Sequence, residues 1–469
     1  VDNSTINADA GSGAIAIAAG GDSAQTAAAV GAAAAYNEVS STTRAAIEGT
    51  DNTILVAGAA TLDASSTTDI DAFTLGLAGS LSASSGGTSI SLAGAGSGSG
   101  NYVRNTISST VTDVSLETTA GDVSLSAVDD STINAEAGAV SVSIAAGQSS
   151  TVGVGLGLSI TINDIDNDIL AVIDDSDVTS SGDLTLTAMS TAEIESLAIG
   201  ASLAVSASSG GTPVAVGATG TASSNRISNT IKAAIEDTDA GSDNTIDVGG
   251  ELSIDASDSS IIDSFGFAGA IAIAAGSSGT PIAGSIGVGV ALNTIDNDTA
   301  AYIEDVSDVD ADTGITIAAT SDAAITARSY AAAVSVAAGS SNAVAVSGGG
   351  AVAQNVILSK TNAFAENTDL DSGAGIDIDA MSDSAIKAEV VAASASVAAG
   401  GSSAIAASVG ISVARNFIGW DPYGGTVVPD WNSLETGVDL SKNDIVEIPS
   451  DILRDYASDD SATTVGTVV

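Results

Sequence analysis

Apolar and polar residues alternate along most of this chain. "GDLTLTA" from Gly182, "VSVSIAA" from Val140 and "GIDIDA" from Gly375 set a small or aliphatic residue at every second place. A period of two is that of a β-strand, whose successive side chains point to opposite faces. Alanine runs such as "AAAVGAAAAY" favour helix by propensity. Flanking glycines and β-branched residues oppose that reading. The first stretch therefore predicts strands over Ile6–Ala18, Ala24–Tyr36, Val39–Ile47 and Ala60–Ala64, joined by Gly/Ser/Asp turns.

The alternation itself recurs. An isoleucine returns at 6, 70, 133, 194, 262, 325 and 386. Thirty or thirty-one residues after each comes an asparagine: Asn37, Asn101, Asn163, Asn225, Asn293, Asn355 and Asn416. An aliphatic or alanine position follows ten residues later, and Leu62, Leu125, Leu186, Ile254, Ile317 and Ile378 precede the next isoleucine by eight. One template of about 63 residues thus predicts an array over residues 1–416, with six full copies and the start of a seventh. The predicted class is all-β, a β-solenoid-like stack in which each strand pairs with its equivalent in the next copy. Ala, Gly and Ser on facing sheets predict a thin interior that a bulky residue at Ala127 or Ala188 would overpack. Residues 417–469 leave the template and read as a cap or junction module. It holds Trp420 and Trp431, a short helix over Pro449–Tyr456, and an apolar tail, "TTVGTVV" from Thr463, fit to be donated as a strand.

Charge narrows the function. Ten Lys+Arg stand against 58 Asp+Glu, a net charge of -48. Such a polyanion lacks the cationic face that nucleic acid requires and is repelled by anionic membranes. It attracts cations and stays soluble. The uncharged stretches Leu197–Asn225 and Val390–Ala414 are interrupted by polar turns, so the chain is expected not to span a membrane. With no His and no Cys it has neither the usual general base nor a thiol nucleophile, and its few basic residues are scattered. No catalytic residues, organic cofactor or enzyme activity are expected. Val1 opens in mid-pattern, which reads as a piece of something longer.

Two sets of polar residues stand out. The asparagines read either as a structural ladder along the stack or as ligand contacts. Asp164, Asp166 and Asp168 in "NDIDNDI", with Asp296, Asp298, Asp305, Asp308 and Asp310 further on, read either as solvated turns or as Ca²⁺ ligands. Neither the EF-hand spacing nor the "GGxGxD" nonapeptide occurs around them.

The template "N-x-[IV]…A-x-I…G-D-[LV]-x-[LI]-x-A…A-x-I", its "AAGGSSA" turns, and "NFIGWDP" at Asn416–Pro422 resemble giant bacterial filamentous surface adhesins, in particular the leukotoxin-like filamentous adhesin group. The resemblance covers about residues 3–420. It implies a secreted β-strand-repeat protein displayed at the cell surface as a long fibre, and it supplies no catalytic residues. The expectation is an extracellular structural or adhesive protein that assembles head to tail with itself. Other cells, extracellular polysaccharide and a biofilm matrix are its further partners. The alternatives are a calcium-dependent surface-layer or ligand-binding repeat protein and an appendage fibre.

Overall fold

The computed structural model describes residues 1–238, 244–419, 431–432, 445–447 and 465–467, in two compact units, Val1–Gly419 and Trp420–Val469. No helix occurs among the described residues, and so none is long and apolar enough to cross a membrane. Alternation wins over alanine's helix propensity because it gives every strand one face to bury.

Three parallel sheets build the first unit. Sheet I has eleven strands, opening with Asp2–Gly20, Ala60–Ser84 and Val123–Gly147. Sheet II has seven: Gln25–Val39, Ser89–Val103, Thr151–Ile165, Pro213–Ile227, Ile282–Ile295, Asn342–Ile357 and Ser403–Ile418, paired in chain order. Sheet III has ten shorter strands, among them Thr42–Val56, Thr106–Thr118 and Asp168–Asp174.

Register follows the sequence period. Ile6 pairs with Ile70, and the column continues through Ile133, Ile194, Ile262, Ile325 and Ile386. Leu62, Leu125, Leu186, Ile254, Ile317 and Ile378 form a second column. One irregularity breaks the pairing of Thr42–Val56 with Thr106–Thr118, between Glu48 and Asn52.

Strand limits differ from the sequence expectation in two respects. Val39 closes Gln25–Val39 rather than opening the third strand, which runs Thr42–Val56. Ala60–Ala64 is not a separate strand but the start of Ala60–Ser84, continuous with the strand that carries Ile70. The same holds at Val123–Gly147. In the next level the ladder is interrupted at Thr191 and Ala192, giving Leu184–Ser190 and Glu193–Ser208. Ala192 and its counterpart Ala323 are fully buried, so the interruption sits at an inside corner where only a small residue fits.

The interior has two parts. Between sheet III and the part of sheet I that holds Leu125, Leu184–Ser190 and Ile315–Ser321 lies an aliphatic core that includes Ile107, Leu125, Ile173, Leu186, Ile235 and Ile317. Between sheet II and the rest of sheet I lies a thinner space filled by Ala204, Ala215, Ala272, Ala283 and their neighbours. The Ile70–Ile133 column, with Val103, Ile165 and Ile227, joins the two. In the thin part the sheets approach so closely that a Cβ on Gly287 would lie 2.8 Å from the Ala332 carbonyl and 3.0 Å from that of Ala268. Glycine is required there by the backbone opposite.

In the second unit, Ile445–Glu447 pairs in parallel with Trp431–Asn432 and antiparallel with Val465–Thr467. The tail strand thus has a partner inside its own unit. Pro449–Tyr456 lies outside the described residues.

Candidate functional site

The asparagines form one continuous column in sheet II. Asn37 Nδ2 donates to Asn101 Oδ1 at 2.8 Å, and the same bond runs from Asn101 to Asn163, Asn163 to Asn225, Asn225 to Asn293, Asn293 to Asn355 and Asn355 to Asn416, at 2.7–2.8 Å. Asn101, Asn163, Asn225, Asn293 and Asn355 are buried. Each of these five amides accepts from the strand before it and donates to the strand after it.

A second asparagine column escaped the sequence reading. Asn105, Asn167, Asn229 and Asn297 follow the first set by four residues, at the turn from sheet II to sheet III. Each Oδ1 accepts a backbone N–H from the level before: Ser41 to Asn105, Asn105 to Asn167, Asn167 to Asn229 and Asn229 to Asn297, at 2.7–3.0 Å. Corner N–H groups that no strand satisfies are paired in this way. The signal was present as N-x-x-x-N in four successive copies.

This second column reaches two buried carboxylates. Asp129 is fully buried and accepts hydrogen bonds from Ser131 Oγ at 2.7 Å and Asn167 Nδ2 at 3.0 Å. Burial pushes its pKa up to about 6 against the pull of those donors. Asp258 is similarly enclosed, with Ser260 Oγ at 2.6 Å and Ser321 Oγ at 3.2 Å, and burial raises its pKa too. Ser190 stands between them in the pairing, which keeps the two carboxylates on non-adjacent strands.

The eight aspartates singled out in the sequence do not converge. Asp164 faces out of sheet II between Arg104 Nη2 at 3.3 Å and Arg226 Nη1 at 3.5 Å. Asp166 and Asp296 lie in turns whose N–H groups bond to the Val103 and Ile227 carbonyls. Asp168 and Asp298 share one pairing column, separated by Thr230, and Asp298 lies 3.6 Å from Lys360 Nζ. Asp305 occupies a left-handed turn and accepts from Asn367 Nδ2 at 3.0 Å. Only Asp308 and Asp310 meet other carboxylates in register: Asp308 pairs with Asp369, and Asp310 with both Asp247 and Asp371. Asp310 has a raised pKa, from partial desolvation first and then from the facing Asp371 and Asp247. Among the described residues no group of three His, Cys, Asp or Glu is arranged to hold a metal ion.

Acidic groups also line an open trough of about 480 Å³ on the outside of sheet I, where Asp71, Glu136, Glu195 and Asp263 lie near Phe265. Arg328 is its one cation, 3.1 Å from Asp263. Beyond this trough the outer face of sheet I turns apolar. A groove of about 300 Å³ there is lined by Val140, Leu203, Phe267, Ile271 and Val334.

The molecule therefore offers repeated surfaces and buried polar columns, and no convergent reactive centre among its described residues. No protein-family model, no curated protein and no solved structure matches the chain.

Proposed function

We propose that the chain is a length of an extracellular structural or adhesive fibre, built as a β-solenoid of about 63-residue turns and extended end to end by further copies. The observation that carries this reading is the in-register parallel pairing of like with like through all seven strands of sheet II. Such a ladder has no built-in stop. Its outermost strands, Gln25–Val39 and Ser403–Ile418, each pair on one side only among the described residues. An open edge of unpaired N–H and C=O groups is a template for another strand. Six full turns and the start of a seventh, residues 1–416, would form the shaft, and residues 417–469 a junction. The likeness to filamentous surface adhesins supports a cell-surface location, with other cells or extracellular polysaccharide as partners.

One observation favours a second reading, a calcium-dependent surface protein. The Asp247–Asp310–Asp371 column places like charges directly opposite one another on an exposed face, which costs energy unless a cation lies between them.

Electron microscopy of the full chain tests the main reading. Filaments of constant width, with fibre diffraction giving a meridional spacing of about 4.8 Å, are expected. Particles of one fixed length at every concentration would overturn it. Repeating the measurement in EDTA separates the readings, since a fibre held by its backbone ladder persists and a calcium-dependent one dissolves.

A further inference from the structure

We infer that the outer face of sheet II is a lateral docking surface for a second copy of this chain. This does not depend on end-to-end growth. Five outward positions on each of the seven strands, the columns that begin at Thr26, Ala28, Val30, Ala32 and Ala34, carry no charged residue in a chain of net charge -48. The large residues stand well out of the face: Leu156 is 49% exposed, Leu158 50% and Ile286 57%.

The face is corrugated. In one column Leu156, Ile286 and Val409 alternate with Gly94, Ala218 and Gly348. In the next, Leu158, Val288 and Ile411 alternate with Gly96, Gly220 and Gly350. In these two central columns, ridges lie on the third, fifth and seventh strands and furrows on the second, fourth and sixth; the flanking columns are apolar without that alternation, one running Ile90, Val152, Val214, Ile282, Val344 and Ile405.

Four of the five furrow glycines have no reason inside the molecule; a Cβ on the fifth, Gly220, would lie 3.2 Å from Leu158 Cδ1. A Cβ on Gly348 would meet nothing within 4 Å, and on Gly94, Gly96 or Gly350 it would meet only a side-chain carbon at 3.8–3.9 Å. None of them has the positive φ that glycine favours. The inward glycines contrast: a Cβ on Gly349 would lie 2.7 Å from the Ala393 carbonyl. Glycine weakens a strand unless something approaches closely. For the outward glycines that something comes from outside.

Three properties select a second copy. The ridge spacing is two strand separations, about 9.6 Å, and a partner must carry the same spacing to fill successive furrows. A second copy shifted by one strand does so, with its ridges in these furrows and its furrows on these ridges. The patch measures about 26 by 29 Å, near 750 Å² in projection, against about 800 Å² per partner in a standard interface. And a chain this acidic can pack against itself only through a face from which charge is absent.

The test sets fit against greasiness. Gly94→Leu with Gly348→Leu enlarges the apolar face while filling the furrows. Sedimentation equilibrium of the full chain should show concentration-dependent association that this double variant weakens at least tenfold, with far-UV circular dichroism unchanged and Tm not lowered. Small-angle scattering should show the wild-type assembly thickened in cross-section. Association that is unchanged or tightened in the variant, assembly that lengthens without thickening, or a wild-type chain monomeric at millimolar concentration would each overturn the proposal. So would binding of the monomer to neutral phosphatidylcholine vesicles without self-association, which would assign the face to lipid.

Discussion

The two interiors of the first unit lie along one sheet and obey different rules. Leu125 and Ile133 lie on one strand, Val123–Gly147, with Ser141 and Ser143 further along it, and all four point inward. At the sheet III end the inside is mainly aliphatic. At the sheet II end it is Ala, Gly and Ser, and hydroxyls bond to one another across the gap: Ser80 to Ser91 at 2.6 Å, Thr151 to Ser206 at 2.7 Å, Ser285 to Ser335 at 2.9 Å. The aliphatic side chains of that end are outside. Burial of large apolar groups drives folding in the first region. In the second, close contact and hydroxyl pairing do, although the buried hydroxyls of Ser99, Ser141, Thr221 and Ser329 have no hydrogen-bond partner. Apolar residues need a partner surface, and it need not lie within the same fold.

The comparison breaks most sharply at glycine. Gly287→Val puts a branched side chain between two carbonyls in the thin region and should cost about 3 kcal/mol or more. Gly348→Val, on the outer face of a neighbouring strand, should cost nothing and should stabilise by up to about 1 kcal/mol, because it replaces a mid-strand glycine that nothing crowds. Urea unfolding of both variants checks the pair, and equal costs would mean that the sheets are further apart than described.

Next in size is a pH effect at the junction of the two regions. Asp129 titrates near 6 when folded and near the ordinary carboxylate value of about 3.9 when unfolded. Between those values the folded chain binds the extra proton, so stability is greatest below about 4 and falls until pH passes about 6. The shift amounts to roughly 3 kcal/mol at neutral pH, and Asp258 acts in the same direction. The Tm should therefore be higher at pH 5 than at pH 7.5. Asp129→Ser, the residue type that occupies the paired positions Ser66 and Ser190, should narrow that difference. A Tm that rises with pH across this range would contradict the burial of Asp129.

The smallest effect separates the two interiors by chemistry. Leu186→Ala in the aliphatic core should cost about 3 kcal/mol through the cavity it leaves. Ser206→Ala in the thin region should cost about 1 kcal/mol through the hydrogen bond lost by Thr151. Thermal unfolding of the two variants measures the gap, and a serine cost equal to the leucine cost would show that hydroxyl pairing rivals apolar burial.

Strands and their columns were legible because a period of two and a period of about 63 residues are both local bookkeeping on the chain. The Asn37–Asn416 column could be read for the same reason. Asp129 could not. In sequence, "VDDST" at 128–132 resembles any solvated acidic turn, and it is Asn167, 38 residues on, that makes burial tolerable. The large candidate set from Asp164 to Asp310 failed to cluster for a related reason: neighbours in sequence were distributed over turns, a salt bridge and two sheets. The outward ridges were missed because Leu156 and Leu158 carry the same alternation as core leucines, and pattern alone does not say which face is inside.

The amide column has an arrow. Every Nδ2 donates toward the higher-numbered strand, and no bond in the series is reversed. Such a chain of dipoles polarises itself cooperatively. At one terminus it presents a carbonyl, on Asn37, and at the other an N–H, on Asn416. The two ends are therefore unlike poles, as in a row of magnets. In the fibre proposed above, a copy that arrived right way round would extend the row, whereas one that arrived inverted would set donor against donor. Growth direction would be written in the amides before any side chain outside the column is consulted.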